Sequence, residues 1–321
     1  MRKGKICFPH QYSETTQRKV RIIKRSFAKA NCFDCICLFA KSAAQHILME
    51  QILSIQSTVT VGFVGNNVAG PVITHFGHQP LLVNTVALVA HPGYGVVAGG
   101  PTPDATFNAI LCALPSLNKF ASIGTVISGY LGALGQVNAI SQLIKAWRLE
   151  QARGSYILDP VLGDNGRIYV DYKLVDAMRE NMLPLADFVT PNQFELELLS
   201  GKKVRDIPSA DKAAQHLLRQ YPNLKGVLVT GINHIGNSIH DRFISRTDLT
   251  DMAFKKRNKG IAGGGDLLTT IFASWLASGH SLEDSFKAAS EQAHAIIDQS
   301  DNHLEIQLLE NIDLLKPIPK L

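Results

Sequence analysis

Acidic residues are almost missing from the first 48 positions of this chain, and cysteine is almost missing from the rest. Residues 1–48 hold ten lysines and arginines against only Glu14 and Asp34, a local balance of +8 in a chain whose total is +5. Residues 49–321 therefore carry −3. A mildly acidic body offers no basic face for DNA or RNA, so no nucleic-acid partner is expected. Cys7, Cys32, Cys35 and Cys37 fall in the opening stretch, and Cys112 alone lies beyond it. The "CFDC" at 32–35 has C-x-x-C spacing, but a zinc site needs two further well-spaced ligands, and a thioredoxin-like site must open a helix after a strand. Neither context is present: the eleven histidines are scattered, and none in the body pairs with cysteine at ligand spacing. No apolar run approaches the roughly 18 residues of a membrane span, so no membrane partner is expected either. Also absent are G-x-x-x-x-G-K-[ST], a G-x-G-x-x-G after the first strand, H-E-x-x-H and G-x-S-x-G. Their absence removes the commonest NTPase, dehydrogenase, zinc-protease and esterase chemistries.

What is present is an ordinary globular composition, 45% hydrophobic and 18% charged, with a surplus of glycine at 25 residues. A chain of 321 residues can bury the core of one large α/β domain or two small ones. Residues 1–48 have three readings. Their basic, acid-poor makeup suits a mitochondrial targeting segment. It also suits a basic arm for an anionic surface. The third is an extension upstream of a true start at Met49 that adds nothing to the fold. Charge and cysteine usage both change at that methionine and a compact strand follows at once, which favours the third. The expected division is an N-terminal extension over 1–48 and one domain over 49–321, with a cytoplasmic location.

From residue 51 the pattern alternates. Short apolar runs predict buried strands at "ILSIQ", "LLVNTVALV" (81–89), "GTVISG" (124–129), "SYILDP" (155–160), "ADFVTP" (186–191) and "GVLVTG" (226–231). Helical spacing fills 64–76, 104–116, 135–150, 171–183, 193–200 and 208–220, with two more helices near 265–278 and 282–298. Strands alternating with helices predict a mostly parallel sheet covered on both faces, a three-layer αβα fold. Residues 232–262 are the least regular, with a β-hairpin expected near "SIHDRFIS". Ligands of open parallel sheets bind at the carboxyl ends of strands. Ser57, Asp159, Thr190, Asn192 and Thr230 all fall there.

The stretch "KGIAGGGDLLTTIFASWLASG" (259–279) sets three glycines and an aspartate before an apolar helix. Glycines cost conformational entropy there. A helix mouth carries unpaired N–H groups and partial positive charge. Asp266 is then either a plain first-turn anion, or the glycine amides receive a phosphate and Asp266 does chemistry beside it.

The ordered set "IQSTVTVGFVGNN" (55–67), "NTVALVAHPGYG" (84–95), "SGYLG" (128–132), "DPVLGDNGRIYV" (159–170), "ADFVTPNQFELELLSG" (186–201), "VLVTG" (227–231) and "GGGDLL" (263–268) closely resembles pyridoxal kinases of the ribokinase-like superfamily. The likeness runs from about Glu50 to near residue 300. Its specific element is the "IQS" opening with "VGN"; "DPVLGD" and "TPNQFELELL" are shared with relatives that phosphorylate hydroxymethylpyrimidine. The resemblance implies ATP-dependent phosphorylation of the 5′-hydroxymethyl group of pyridoxal, pyridoxine or pyridoxamine, with Mg²⁺ and a monovalent cation as candidate cofactors and a homodimer as the expected assembly. It assigns Asp266 as general base, with the amides of Gly263, Gly264 and Gly265 stabilising the migrating phosphoryl group.

Carried over position by position, Asp159, Asn192 and Glu195 match residues near the nucleotide phosphates and Mg²⁺, with Asp164 in support. Asp159, Glu195 and Asp164 are the expected metal residues, oxygen donors suited to this cation. Thr190 and Thr230 match the ATP side. Ser57 matches the residue that hydrogen-bonds the pyridine ring, with Pro92, Gly93 and Tyr130 shaping the pocket. Three positions depart from the pattern: Gly264 replaces Thr or Ala, Pro92 replaces Thr, and Thr58 stands where His is common. The basic run Lys255, Lys256, Arg257 and Lys259 is expected to be a solvated surface rather than a phosphate contact. Two alternatives remain: a hydroxymethylpyrimidine kinase on the same scaffold, and a degenerate member that binds vitamer or nucleotide without turnover.

Overall fold

The structure is a computed structural model describing residues 50–233, 236–257, 260–300 and 304–318. The expectations for residues 1–48 and for Lys259 lie outside the described residues. Among the described residues the strands are β1 (Gln51–Val59), β2 (Gln79–Leu88), β3 (Gly99–Pro101), β4 (Ile123–Ser128), β5 (Ser155–Leu158), β6 (Gly163–Asp164), β7 (Arg167–Ile168), β8 (Phe188–Val189), β9 (Gly226–Asn233), β10 (Ser238–Ser245) and β11 (Leu249–Lys255). The α-helices are α1 (Asn66–His75), α2 (Asp104–Ala113), α3 (Leu134–Glu150), α4 (Tyr172–Ala177), α5 (Gln193–Ser200), α6 (Ile207–Gln220), α7 (Gly264–Ala277) and α8 (Leu282–Gln299). Nine strands form one sheet in the order β11-β10-β9-β8-β5-β4-β1-β2-β3. From β9 through β2 every pairing is parallel. The β10–β11 hairpin extends one edge antiparallel, and β3 closes the other.

Neighbouring residues of a strand point to opposite faces, and the two cores divide accordingly. Leu53, Val126, Leu158, Val189 and Val227 pack with α2 to α6. Ile52, Ile127, Ile157, Phe188 and Leu228 pack with α1, α7 and α8. A parallel sheet buried on both faces needs such continuous apolar strands. The three-layer αβα expectation is therefore met.

Helix limits follow their caps. Asn192 Oδ1 accepts the Glu195 N–H at 2.9 Å and opens α5, and Gly201 closes it with φ 64°. Asp206 caps α6 through Ser209, and Ser281 caps α8 through Asp284. Several segments differ from expectation: the helix expected over 171–183 is α-helical only as far as Ala177, and a π-helical turn at Met178–Met182 and a 3₁₀ turn at Leu183–Leu185 follow. The run at 186–191 contributes a strand of only two residues, since Phe188 and Val189 alone pair with both β5 and β9. The 232–262 stretch is more regular than its polarity suggests: β11 alternates exposed and half-buried side chains, the pattern of a sheet edge with one face in water.

Candidate active site

The parallel strands all end on one side of the sheet, and the expected polar residues gather there. At the end of β5 the Asp159 N–H donates to the Ser128 carbonyl at 2.8 Å, and Thr190 after β8 donates its N–H to Leu158 at 3.1 Å. Thr230 within β9 donates to the Pro191 carbonyl at 3.0 Å and bridges Asn192. Each site residue is thus held by the ladder of its neighbour.

Asp159 is 4% exposed and lies on the inner side of α7. Thr269 Oγ1 donates to Asp159 Oδ2 at 3.1 Å, and the Thr190 and Thr269 hydroxyls are 2.9 Å apart. Burial, then the charges of Asp266 and Glu195, push the Asp159 carboxyl well above the usual carboxylate range. Asp266, one turn before Thr269 on the same helix face, is half-buried and raised to about 6 by desolvation, with the Gly65 N–H pulling the other way. Thr269 was not anticipated. Its signal in sequence is only the i, i+3 spacing from Asp266, which places both on one helix face.

Glu195 is raised to about 8 by burial, against hydrogen bonds from three backbone amides. Its Oε1 accepts Leu162 N–H at 2.9 Å and Gly163 N–H at 3.4 Å, and Oε2 accepts Asn192 N–H at 2.9 Å. Glu195 and Asn192 therefore form the capping box of α5, and Asn192 Nδ2 also donates to the Gly163 carbonyl at 2.8 Å. Glu195, expected near the nucleotide phosphates and Mg²⁺, fixes the 162–163 turn through these contacts. Asp164 ends the first strand of a small hairpin, β6–β7, whose Asn165 and Gly166 both have positive φ, the demand of a type I′ turn. Burial raises the Asp164 carboxyl, and its charge in turn reaches Glu195.

The interactions that set these four shifts include no basic side chain. Among the described residues no three acidic, histidine or cysteine side chains converge into a metal cage. A crowded acidic cleft without a cage fits Mg²⁺, which takes one or two carboxylates and keeps water or phosphate oxygens for the rest. Lys256 donates to Asn233 and Arg257 pairs with Asp298, while Lys255 is exposed.

The cradle itself starts at Gly263, in the left-handed region at φ 86° as N-cap of α7. A Cβ on Gly263 would overlap the Phe63 carbonyl oxygen. The loop carrying Phe63 ends at Gly65, φ 55°, where a Cβ would overlap the Oγ and carbonyl of Ser57. Ser57, Gly65 and Asp266 are thereby brought together. Asn66 and Asn67, quoted in the sequence motif without a role, lock this corner. Asn66 Nδ2 donates to Val83 at 3.0 Å and Asn84 at 2.7 Å, and Asn67 Oδ1 accepts from Thr58 Oγ1 at 2.8 Å. Pro92 and Gly93 lie on an exposed 3₁₀ turn, where proline suits the first helical position. Tyr130 is half-buried beyond β4, its carbonyl accepting the Thr85 hydroxyl at 2.6 Å.

A family model described as phosphomethylpyrimidine kinase matches residues 121–308. It spans the motifs shared across the superfamily and begins after the "IQS" opening. A pyridoxine/pyridoxal/pyridoxamine kinase of Bordetella avium is 33% identical over 254 residues, covering 76% of this chain and 83% of that protein. Among solved structures, a pyridoxal kinase from Entamoeba histolytica superposes with a TM-score of 0.79 at 29% identity, covering 85% of this chain and 97% of the other. A pyridoxal kinase from Leishmania donovani, in complex with ADP and pyridoxamine, gives 0.77 at 25% identity over 84% and 96% of the two chains. With the fold, the strand-end acids and the glycine cradle in place, the chain is a kinase and belongs to the pyridoxal kinase family of the ribokinase-like superfamily.

Proposed function

We propose that this enzyme transfers the γ-phosphoryl group of ATP to the 5′-hydroxymethyl oxygen of pyridoxal, and of pyridoxine or pyridoxamine. The observation that carries the reading is the position of Asp266. It sits in the first turn of α7, touched by the Gly65 amide on the side of Ser57 and facing the Asp159 charge on the side of Thr190. A carboxyl raised to about 6 is ionised at neutral pH yet basic enough to take a proton in the transition state. The alcohol oxygen bonds to the γ-phosphorus as its proton passes to Asp266, and the bond from that phosphorus to the β,γ-bridging oxygen breaks, releasing ADP. The amides of Gly263, Gly264 and Gly265 at the helix mouth oppose the charge spread over the phosphoryl oxygens.

On this reading Ser57 orients the pyridine ring, with Pro92, Gly93 and Tyr130 around it, and Thr190, Asn192 and Thr230 line the nucleotide. Asp159, with Asp164 in support, would hold Mg²⁺, and Glu195 keeps the 162–163 turn in register for it. The ion, when bound, neutralises phosphate charge. A homodimeric assembly, a monovalent-cation requirement and a cytoplasmic location belong to the same proposal. Purified protein with Mg²⁺ and ATP is expected to convert pyridoxal to pyridoxal 5′-phosphate, and Asp266→Asn to lower kcat by about 10²–10⁴ with its circular dichroism unchanged. Full turnover by that variant rejects Asp266 as the base.

The family model's description favours one second reading, phosphorylation of hydroxymethylpyrimidine. A substrate panel holding both compounds decides between them by kcat/KM.

A further inference from the structure

Glu305 lies far along the chain from every motif discussed above, yet it is 6% exposed and sits against the cleft. Its backbone pairs with Ala262, directly before the cradle: Ala262 N–H donates to Leu304 at 3.2 Å, and Ile306 N–H donates to Ala262 at 3.0 Å. Its side chain reaches two other loops. Oε2 accepts the Phe63 N–H at 3.1 Å, and Oε1 accepts the Tyr94 hydroxyl at 3.1 Å. His91 stands edge-on to Tyr94, its Nε2 3.7 Å from Oε2.

Each contact has a consequence. The Phe63 peptide is gripped on both sides, its N–H by Glu305 and its carbonyl against Gly263. Two residues on, the Gly65 N–H meets Asp266. The loop is thus pinned at one end by Glu305 and at the other by the base. Gly62 makes room for the pin: it has φ 107°, and a Cβ there would overlap the Glu305 carboxylate. On the other side, His91 Nδ1 accepts the Gly93 N–H at 3.1 Å, which places the proton of the neutral ring on Nε2, facing Glu305. That buried Nε2 has no hydrogen-bond partner at its present distance. A third donor is therefore held just outside bonding range of the same carboxylate.

We propose that Glu305 is a positioning residue that couples the 91–95 turn to the glycine cradle and the base through the 60–65 loop. One carboxylate accepts from both loops while its own backbone pairs with Ala262, the residue leading into Gly263. Setting the turn therefore also sets the phosphoryl site. The consequence for turnover rests on the vitamer reading above; the coupling itself does not. Since a misplacement of about 1 Å can cost about 10² in rate, loss of the pin is expected to fall on kcat and on vitamer KM, not on ATP.

The test uses the full chain and the variants Glu305→Ala, Glu305→Gln and Tyr94→Phe. Hydrogen exchange, which needs no substrate, is expected to speed up in 60–65 and 91–95 together in Glu305→Ala, and in 91–95 alone in Tyr94→Phe. In kinetics Glu305→Ala is expected to lose about 100-fold in kcat/KM for pyridoxal with KM for ATP within about twofold of wild type. Glu305→Gln, which keeps one acceptor, should recover about tenfold of that. If Glu305→Ala does not fold, Glu305→Gln carries the same comparisons at smaller size. Unchanged exchange in 60–65, or equal losses of pyridoxal and ATP affinity, overturns the coupling. A wild-type enzyme inert toward pyridoxal but showing the exchange pattern overturns the vitamer reading and leaves the coupling standing.

Discussion

The three cradle glycines are not equivalent. Gly263 has φ 86°, and a Cβ would strike the Phe63 carbonyl oxygen as well as Ile306 Cγ1 at 3.2 Å. Gly264 would place a Cβ 2.9 Å from Ile297 Cδ1, the movable end of a side chain, so the Thr or Ala expected from the family resemblance could be accommodated by a small rotation of Ile297. Around Gly265 nothing lies within 4 Å. Its side is open, and on the proposed reading that side faces the phosphoryl group. Gly265→Ala should therefore raise helix stability by up to about 0.5–1 kcal/mol, or about 1–3 °C in Tm, while a methyl group intrudes where the phosphoryl oxygens approach. Thermal melts and initial rates on one preparation should show Tm rising and kcat falling at least about tenfold. Gly263→Ala, by contrast, should lose both Tm and rate, since its backbone conformation and the Phe63 contact fail together. A rise in rate for Gly265→Ala would place the phosphoryl group elsewhere.

Elements were legible where a local rule set their limits. Asn192, Asp206 and Ser281 announce α5, α6 and α8 because a cap needs only the next three residues. The "DNGR" turn of β6–β7 was equally local and went unread, since a strand of two residues leaves no periodicity to detect. What lay beyond sequence was contact between elements. Asp266 and Asp159 could be named from motifs, but that Thr269 ties α7 to the ends of β5 and β8 depends on how the helix seats on the sheet. Thr269→Val tests that seating. It keeps the shape, removes a donor from the buried Asp159 carboxyl, and takes from the Thr190 hydroxyl one of its two contacts, leaving it Asp159 alone. A loss of about 1–3 kcal/mol follows from burying unpaired polar groups, measurable as a lower urea midpoint. KM for ATP should rise with it, and Thr269→Ser should restore both.

Across the whole molecule, the sheet gathers acids from strands and helices distant in sequence into one cleft and gives them no basic partner among the interactions that shift them. Without ligand this arrangement costs stability. The folded-state carboxyl of Asp266 titrates near 6, above its ordinary 3.8, and that of Glu195 near 8, above 4.5. Between the ordinary and folded values the native state binds more protons than the unfolded chain, so stability falls as pH rises. The contribution of Asp266 is complete below about pH 3.8 and gone above about pH 6; that of Glu195 fades up to about pH 8. Asp266→Asn removes one of these charges while keeping an oxygen to accept the Gly65 amide. The ligand-free variant should therefore melt above wild type, with the margin opening between pH 4 and 6 and constant above. Activity should run opposite: wild-type kcat/KM should fall on acidification with an apparent pKa near 6, the pH at which the base of the free enzyme takes up its proton. Saturating Mg²⁺ and ATP should narrow the melting gap, because a cation relieves the same repulsion and ligand binding adds RT ln(1 + [L]/Kd) to the native state. A variant less stable than wild type at pH 8, with or without nucleotide, would mean that Asp266 is paired within the apo cleft and is not held there as an uncompensated base.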